Sequence, residues 1–332
     1  MDATPSPFSG KKILITGING FLGSHLSASL QHQGAHVEGI SRNPMNARYL
    51  QSFPAARPKA LHELDLRDYS AVNEFLRAHS YDVVFHLASQ ADTWKSSQLP
   101  LETFETNMLG TLHLMESLRV HQKNTPVILS GSVRAFEYTN AITRGAPPSM
   151  HLYDASKFGM EMVASSYFHT YGMPGAIAQN TNMYGPNDLN FNRLIPKIMQ
   201  GICLHGYASL RGNGQVKRDF MFVGDAVQGM ESLAARVREK GINGNSFTFA
   251  SGGLCSIREV AEKLSQITNH HARIEFDNIP LVNDRDQSAF AIDATTDLLG
   301  WKPLTALDDG LKKTLAWYRN YFHEHPEKGG NP

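Results

Sequence analysis

Tyr153 and Lys157 stand four residues apart in Tyr153-Asp154-Ala155-Ser156-Lys157, a spacing that puts both side chains on one face of a helix. An ammonium beside a phenol stabilises the phenolate and lowers its pKa. Tyr153 can then exchange a proton with an alcohol or ketone while a hydride moves to or from a nicotinamide ring, and Lys157 can also bond the nicotinamide ribose. Alone, such a pair is an ordinary helix-surface contact. The preceding apolar run gives it meaning, because Leu129-Ser130-Gly131-Ser132 ends with two hydroxyls. They fall at the carboxyl edge of a strand, where open α/β sheets bind ligands.

A second constellation lies near the start of the chain. Gly17-Ile18-Asn19-Gly20-Phe21-Leu22-Gly23 follows an apolar run and opens a helical pattern. Glycines let the turn tighten and let backbone N–H groups approach a pyrophosphate, and the helix N-terminus adds partial positive charge there. After the second strand, where a carboxylate would bond the ribose of NAD, stand Ser41 and Arg42. A hydroxyl and a guanidinium suit a 2′-phosphate, which favours NADP, with NAD left open. Asp65-Leu66 after the third strand either holds the adenine edge or, through Asp65, caps the next helix. Both readings stand.

The elements that must position these groups alternate. Lys12–Thr16 reads as a strand, Phe21–Gln33 as a helix, Val37–Ile40 and Leu61–Leu66 as strands, and Tyr69–His79 as a helix. Asp82–Leu87 is a buried strand, Leu101–His121 a long helix, and Pro126–Ser130 another strand. Met150–Tyr171 is helical and Gly175–Ala178 a further strand. Repeated βα units with continuous apolar strands imply a doubly wound parallel sheet, an α/β fold of Rossmann type. After Gly185 the regularity breaks, with Pro, Gly and Asn clustered at 184–187 and 211–214 and an amphipathic helix at Leu307–Phe322. The expected organisation is a disordered leader over 1–10, a dinucleotide-binding domain over 11–182, and a smaller substrate lobe over 183–332 with segments that return to the first domain.

Composition narrows the function. The 332 residues carry 31 basic and 31 acidic side chains, which leaves no general attraction to nucleic acid or anionic membranes. No apolar run approaches the ~20 residues that span a bilayer. Cys203 and Cys255 form no CxxC or disulfide framework, which fits a reducing cytoplasm. The histidines lack metal-ligand spacing, so no metal is expected.

Taken in order, these motifs resemble the extended short-chain dehydrogenase/reductase family, the nucleotide-sugar epimerases, dehydratases and reductases. The resemblance covers nearly the whole chain after residue 10. It includes the glycine loop, His86-Leu87-Ala88-Ser89-Gln90-Ala91, Asn107-x-x-Gly110-Thr111, Tyr153-x-x-x-Lys157 and Asn182-Met183-Tyr184-Gly185-Pro186. Arg218-Asp219-Phe220, Val223-Gly224-Asp225 and Leu299-Gly300-Trp301-Lys302-Pro303 complete it. It implies that Ser132 and Tyr153 bond the sugar oxygen being oxidised or reduced, with Lys157 in support. Leu87, Ala88 and Ser89 would line the cofactor channel, with Asn107, Ser130 and Thr181 close to it. Gln90, Asn182, Arg193, Leu194, Arg218 and Arg285 would face a nucleotide-diphosphate sugar. A homodimer joined by the Asn107 and Tyr153 helices is also implied.

The stretch from Tyr184 to Pro196 is similar to CDP-glucose 4,6-dehydratases, and Gly39-Ile40-Ser41-Arg42 to GDP-mannose dehydratases. In the dehydratases the catalytic Ser/Thr is followed by Asp-Glu or Asp-Lys, an acid and a base for elimination. Here Val133 and Arg134 follow Ser132. Valine donates no proton, and arginine stays charged at useful pH. Elimination by the usual pair is therefore not expected, whereas carbonyl/alcohol hydride chemistry is intact. Reduction of a 4-keto sugar ranks first because Ser41-Arg42 points to NADP. A 4-epimerase or C4 dehydrogenase, a dehydratase with a non-standard acid/base pair, and a non-catalytic NADP sensor follow. Gln179 departs from the arginine common in relatives.

Overall fold

A computed structural model describes residues 6–135, 151–269, 271–279, 286–287 and 289–326. The chain forms two compact units. The first comprises residues 1–180, 227–249 and 293–301, and the second 181–226, 250–292 and 302–332.

The first unit is built on seven parallel strands. In chain order these are β1 (Lys12–Thr16), β2 (His36–Ser41), β3 (Ala60–Glu63), β4 (Val83–His86), β5 (Val127–Ser132), β6 (Gly175–Asn180) and β7 (Ser246–Phe249). Their spatial order is β7-β6-β5-β4-β1-β2-β3, so the direction of winding reverses between β1 and β4. Helix α1 (Phe21–His32) follows β1. Helices α2 (Tyr69–Ala78), α3 (Gly110–His121) and α4 (Leu152–Tyr171) follow β3, precede β5 and precede β6 respectively. Leu14, Val84, Val127, Leu129 and Ile177 face α2, α3 and α4 in one buried cluster with Leu76, Leu118, Met160 and Phe168. Strand residues alternate, so Ile13 and Ile15, also fully buried, face the opposite side.

Four expectations need adjustment. The third strand ends at Glu63 rather than Leu66, because Leu64 to Asp68 turn into the next helix. Asp68, not Asp65, is that helix's N-cap, accepting the Ala71 N–H at 3.0 Å. The run read as one helix over Leu101–His121 is interrupted by a π-helical turn at Glu105–Leu109, flanked by a short helix at Pro100–Phe104 and by α3. Of the leader read over 1–10, residues 6–10 are anchored: Phe8 is buried, and the Ser6 hydroxyl donates to Gln33 Oε1 at 2.7 Å.

The second unit is made of short pieces. Strand Asn182–Tyr184 pairs in parallel with Phe220–Phe222, Tyr207–Leu210 with Arg273–Phe276, and Lys217–Arg218 antiparallel with Cys255–Ser256. Helices Leu194–His205, Ile257–Ile267 and Leu307–Glu324 accompany them. Ile257–Ile267 starts with a full capping box, Ser256 and Glu259 bonding each other's backbone N–H. Among the described residues no helix is long and apolar enough to cross a membrane.

Candidate active site

The site grows from the ends of β1, β4, β5 and β6. After β1 the chain turns sharply, with Gly17 at φ +71°. A Cβ at Gly17 would lie 2.7 Å from the Ala88 backbone nitrogen, so only glycine lets this turn meet the loop after β4. Gly20 caps α1 with no side-chain hydrogen bond, and Phe21, Leu22 and Gly23 begin the helix with buried side chains or backbone. The N-cap residue thus offers the first N–H groups of α1 no side-chain acceptor, as suits an anion site. The Asn19 amide donates to Asn46 O at 2.9 Å, while its buried Oδ1 has no partner among the described residues. Asn180, at the end of β6, has the same unpartnered Oδ1. An uncapped helix start and two buried acceptors without donors fit a dinucleotide with its amide and hydroxyl donors.

One buried network shapes the loop after β4. Thr111 donates to Asn107 O at 2.6 Å, so its oxygen accepts from His86 Nε2 at 2.9 Å. The other ring nitrogen, Nδ1, then accepts from the Thr16 hydroxyl at 2.7 Å, and Thr16 Oγ1 in turn accepts the Ala88 N–H at 3.2 Å. His86 is neutral, its pKa pushed down to about 3 by burial and then by the Lys157 charge. Asn107, in the π-helical turn, bonds both backbone groups of Gln90 and donates to the Ser156 hydroxyl at 2.9 Å. Ser156 donates to Tyr153 O at 2.7 Å. Asn107 is thus a strut between the Leu87-Ala88-Ser89 loop and the first turn of α4. The Gln90 side chain is engaged with Asp92 N–H and C=O in its own loop and with Thr103 Oγ1 of the short helix Pro100–Phe104.

The candidate reacting edge lies on β5 and α4. Ser132 is buried, and its oxygen accepts the Arg134 N–H at 3.3 Å, which leaves the hydroxyl proton to donate. Tyr153 is half-buried in the first turn of α4. Lys157, one turn on, is buried and donates to Ser130 O at 2.7 Å. Burial pushes its pKa down to about 8, with Glu161 opposing the fall. Val133 is only 1% exposed, and Arg134 forms a bidentate pair with Asp154 at 2.5 and 3.0 Å. Sequence reasoning missed Glu161, whose signal was its place four residues beyond Lys157.

At the end of β2, the candidate site for the cofactor's ribose, Ser41 Oγ accepts the Asn43 N–H at 3.3 Å. Arg42 reaches Glu102 at 3.6 Å, and Glu102 also takes Lys95 at 3.1 Å. Asp65 is gripped by Arg67 at 2.6 Å, and Leu66 is a core residue. In the second unit, Thr181 and Asn182 are held by Gln287 and by the Asp219 carbonyl. Arg193 pairs at 3.1 Å with the buried Asp188 beside Leu194, the first residue of its helix. Arg218 donates to Lys217 O at 2.9 Å, while Asp219 is taken by Ser251. Arg285 lies outside the described residues. No three His, Cys, Asp or Glu side chains group as a metal site among the described residues.

A doubly wound parallel sheet with an open helix start after β1, at the switch point between β1 and β4, is the architecture of a Rossmann-type oxidoreductase, and the candidate Ser132, Tyr153 and Lys157 lie on β5 and α4 beside it. The sequence model of the NAD dependent epimerase/dehydratase family matches residues 13–247. The chain belongs to that family and is an enzyme of the extended short-chain dehydrogenase type. It is 26% identical over 98% of its length to a trifunctional UDP-glucose 4,6-dehydratase/UDP-4-keto-6-deoxy-D-glucose 3,5-epimerase/UDP-4-keto-L-rhamnose-reductase of Arabidopsis thaliana, of which it spans about half, 49%. It is 25% identical to UDP-glucuronate 4-epimerase 1 of the same plant, over 94% of this chain and 78% of the other. The solved Bordetella bronchiseptica enzyme WbmF in complex with NADH is 25% identical, with a TM-score of 0.78 over 98% of this chain and 96% of that one.

Proposed function

We propose that this enzyme is an NADP-dependent reductase of a nucleotide-diphosphate-linked 4-keto-6-deoxy sugar. One observation carries the reading. The two residues after Ser132 supply neither an acid nor a base, because Val133 is buried and Arg134 is locked to Asp154, while Ser132, Tyr153 and Lys157 keep carbonyl chemistry intact. The nicotinamide, when bound, supplies the hydride to C4. Ser132 and Tyr153 orient the C4 oxygen, Tyr153 gives it a proton, and Lys157 stabilises the phenolate left behind until solvent restores the proton. Asn182, Arg193, Leu194, Arg218 and Arg285 are the proposed diphosphate-sugar contacts of the second unit, two or more guanidiniums suiting a diphosphate.

NADP is supported by Ser41 and Arg42. The Arg42–Glu102 pair supports the second reading, a 4-epimerase that keeps NAD bound, since Glu102 offsets the charge a 2′-phosphate would need. Named relatives include 4-epimerases, 4,6-dehydratases and one trifunctional dehydratase/epimerase/reductase of which this chain spans about half, 49%. We also propose a homodimer, supported by exposed Leu101, Leu109, Leu152 and Met162 around the Asn107 and Tyr153 helices, and a reducing compartment, supported by two free cysteines.

The test is incubation of purified protein with NADPH or NADH and a panel of nucleotide-linked 4-keto sugars. Loss of reduced-nicotinamide absorbance identifies the reductase. No loss with any keto sugar, with interconversion of C4 epimers, identifies the epimerase. Water loss from an unmodified nucleotide sugar at an ordinary enzymatic rate would overturn the reading of Val133 and Arg134.

A further inference from the structure

Glu161 is buried in the interior of α4, 2% exposed, and both its oxygens are used. Oε1 accepts the backbone N–H of Ser132 at 2.8 Å, and Oε2 accepts from Gln179 Nε2 of β6 at 2.7 Å. The carboxylate lies flat on β5: a Cβ at Gly131 would sit 2.4 Å from Oε1. Glycine is needed there for this approach, not for its dihedral freedom. One turn earlier on the same face, Lys157 donates to the carbonyl of Ser130. The helix that carries Tyr153 is therefore hooked to the strand that carries Ser132 at two points, a cation on one carbonyl and an anion on the N–H two residues along.

We propose that Glu161 is a positioning residue of the proton relay, which fixes the register of Tyr153 against Ser132 and holds Lys157 in its charged form. The proposal rests on the reading of Tyr153 as proton carrier. Its electrostatic half follows from the partners. Gln179 is neutral, so the carboxylate's charge is not cancelled on the β6 side and is directed at Lys157. The other groups facing the lysine are Ser130 on β5 and Met160 on α4, both uncharged, and His86 on β4, neutral by its hydrogen bonds. Burial raises the Glu161 pKa above the ordinary carboxylate value, and Gln179, the Ser132 N–H and Lys157, which bond or face the charged form, limit the rise. Glu161 is the group that opposes the desolvation of Lys157.

The experiment titrates the Tyr153 phenol directly, without any sugar. The ultraviolet tyrosinate difference between the full chain and its Tyr153→Phe counterpart isolates this one of eleven tyrosines. In the unaltered chain the step should fall well below the ordinary value of about 10. Glu161→Gln keeps the shape and an acceptor for the Ser132 N–H but removes the charge. Lys157 then loses its proton earlier, and the Tyr153 step should rise by roughly one pH unit. Glu161 lies eight residues, about 12 Å along the helix, from Tyr153, so its direct repulsion of the phenolate is the smaller effect. Gln179→Arg, which neutralises the carboxylate and repels the lysine, should move the step the same way, and it carries the test alone if Glu161→Gln fails to fold. A melting temperature and circular dichroism spectrum like the parent's confirm that the variant read is folded. A folded variant whose Tyr153 step stays in place overturns the role of Glu161 and leaves the relay standing. If Tyr153 titrates at the ordinary value in the unaltered chain, the relay itself falls, and this inference with it.

Discussion

The two ends of the candidate cofactor edge in the first unit are held by different physics. At the β5–α4 end, Lys157, Glu161, Ser132, His86, Thr111 and Asn107 are all buried and bonded to one another or to backbone. At the β2 end, Arg42, Lys95 and Glu102 form pairs at 3.1–3.6 Å with side chains 27–44% exposed. Buried charges in low dielectric must be geometrically satisfied or they destabilise the fold, which fixes their positions. Exposed pairs contribute little and rearrange easily. On the proposed assignment, the chemical step is set by a rigid edge and the choice of cofactor by a soft one.

The sharpest break in that comparison is Tyr153→Phe. It removes the proposed proton donor and leaves the rigid edge otherwise in place, so turnover should fall by about 10²–10⁴ with the cofactor dissociation constant unchanged, as measured by fluorescence titration. A loss of cofactor binding equal to the loss of turnover would place Tyr153 in binding, not chemistry. The same edge predicts a pH limb. On the proposed mechanism Lys157 supports the phenolate only while charged, and its pKa is pushed down to about 8. Turnover should therefore hold below that pH and decline as pH rises through it, and a rate profile that stays flat to pH 10 would show that the charge is not needed.

Next in size is Asn107→Leu, which removes the strut between the β4 loop and α4. It leaves the Gln90 N–H and C=O without partners in the interior, at a cost of about 2–4 kcal/mol, read as a lower denaturant midpoint. An equal midpoint would mean the loop is held without it.

Much of the rigid edge was legible in the sequence, and the reasons are local. Continuous apolar runs such as Ile13-Leu14-Ile15 and Val83-Val84-Phe85 can only be parallel, doubly covered strands. The Tyr153–Lys157 spacing survives any small error in helix bounds. What was hidden depends on tertiary placement. A glutamate inside a helix reads as solvated, and only the approach of β5 and β6 shows Glu161 to be buried. The π-helical turn at Glu105–Leu109 leaves the apolar period almost unchanged, so one long helix was the natural reading. Asp65 and Asp68 are both able to cap α2, and the backbone alone decides for Asp68.

The soft edge was the harder one to read, because Ser41-Arg42 states a preference that Glu102 partly cancels. Two opposed substitutions sharpen this. Arg42→Ala should weaken NADPH binding about tenfold, the loss of one charge-assisted bond, and leave NADH within twofold or so. Glu102→Gln should strengthen NADPH by a smaller factor, since it frees Arg42 and Lys95 from a competing anion. Equal effects on both cofactors would end the case for a 2′-phosphate site and favour the NAD-retaining epimerase.

The smallest expected effect is at Asp154→Asn. Arg134 is 45% exposed and Asp154 13%, so although the pair is bidentate, half of it is in water and its loss should cost no more than about 1 kcal/mol, read as a shift of a few degrees in melting temperature. That small cost is informative because Asp154 adjoins Tyr153. If the pair only ties Val133-Arg134 to the first turn of α4, turnover and melting temperature should fall together and modestly. A drop in turnover by two orders of magnitude with little thermal change would instead mean that Asp154 or the released Arg134 touches the reacting sugar, and the stretch after Ser132 would have to be counted as part of the chemistry.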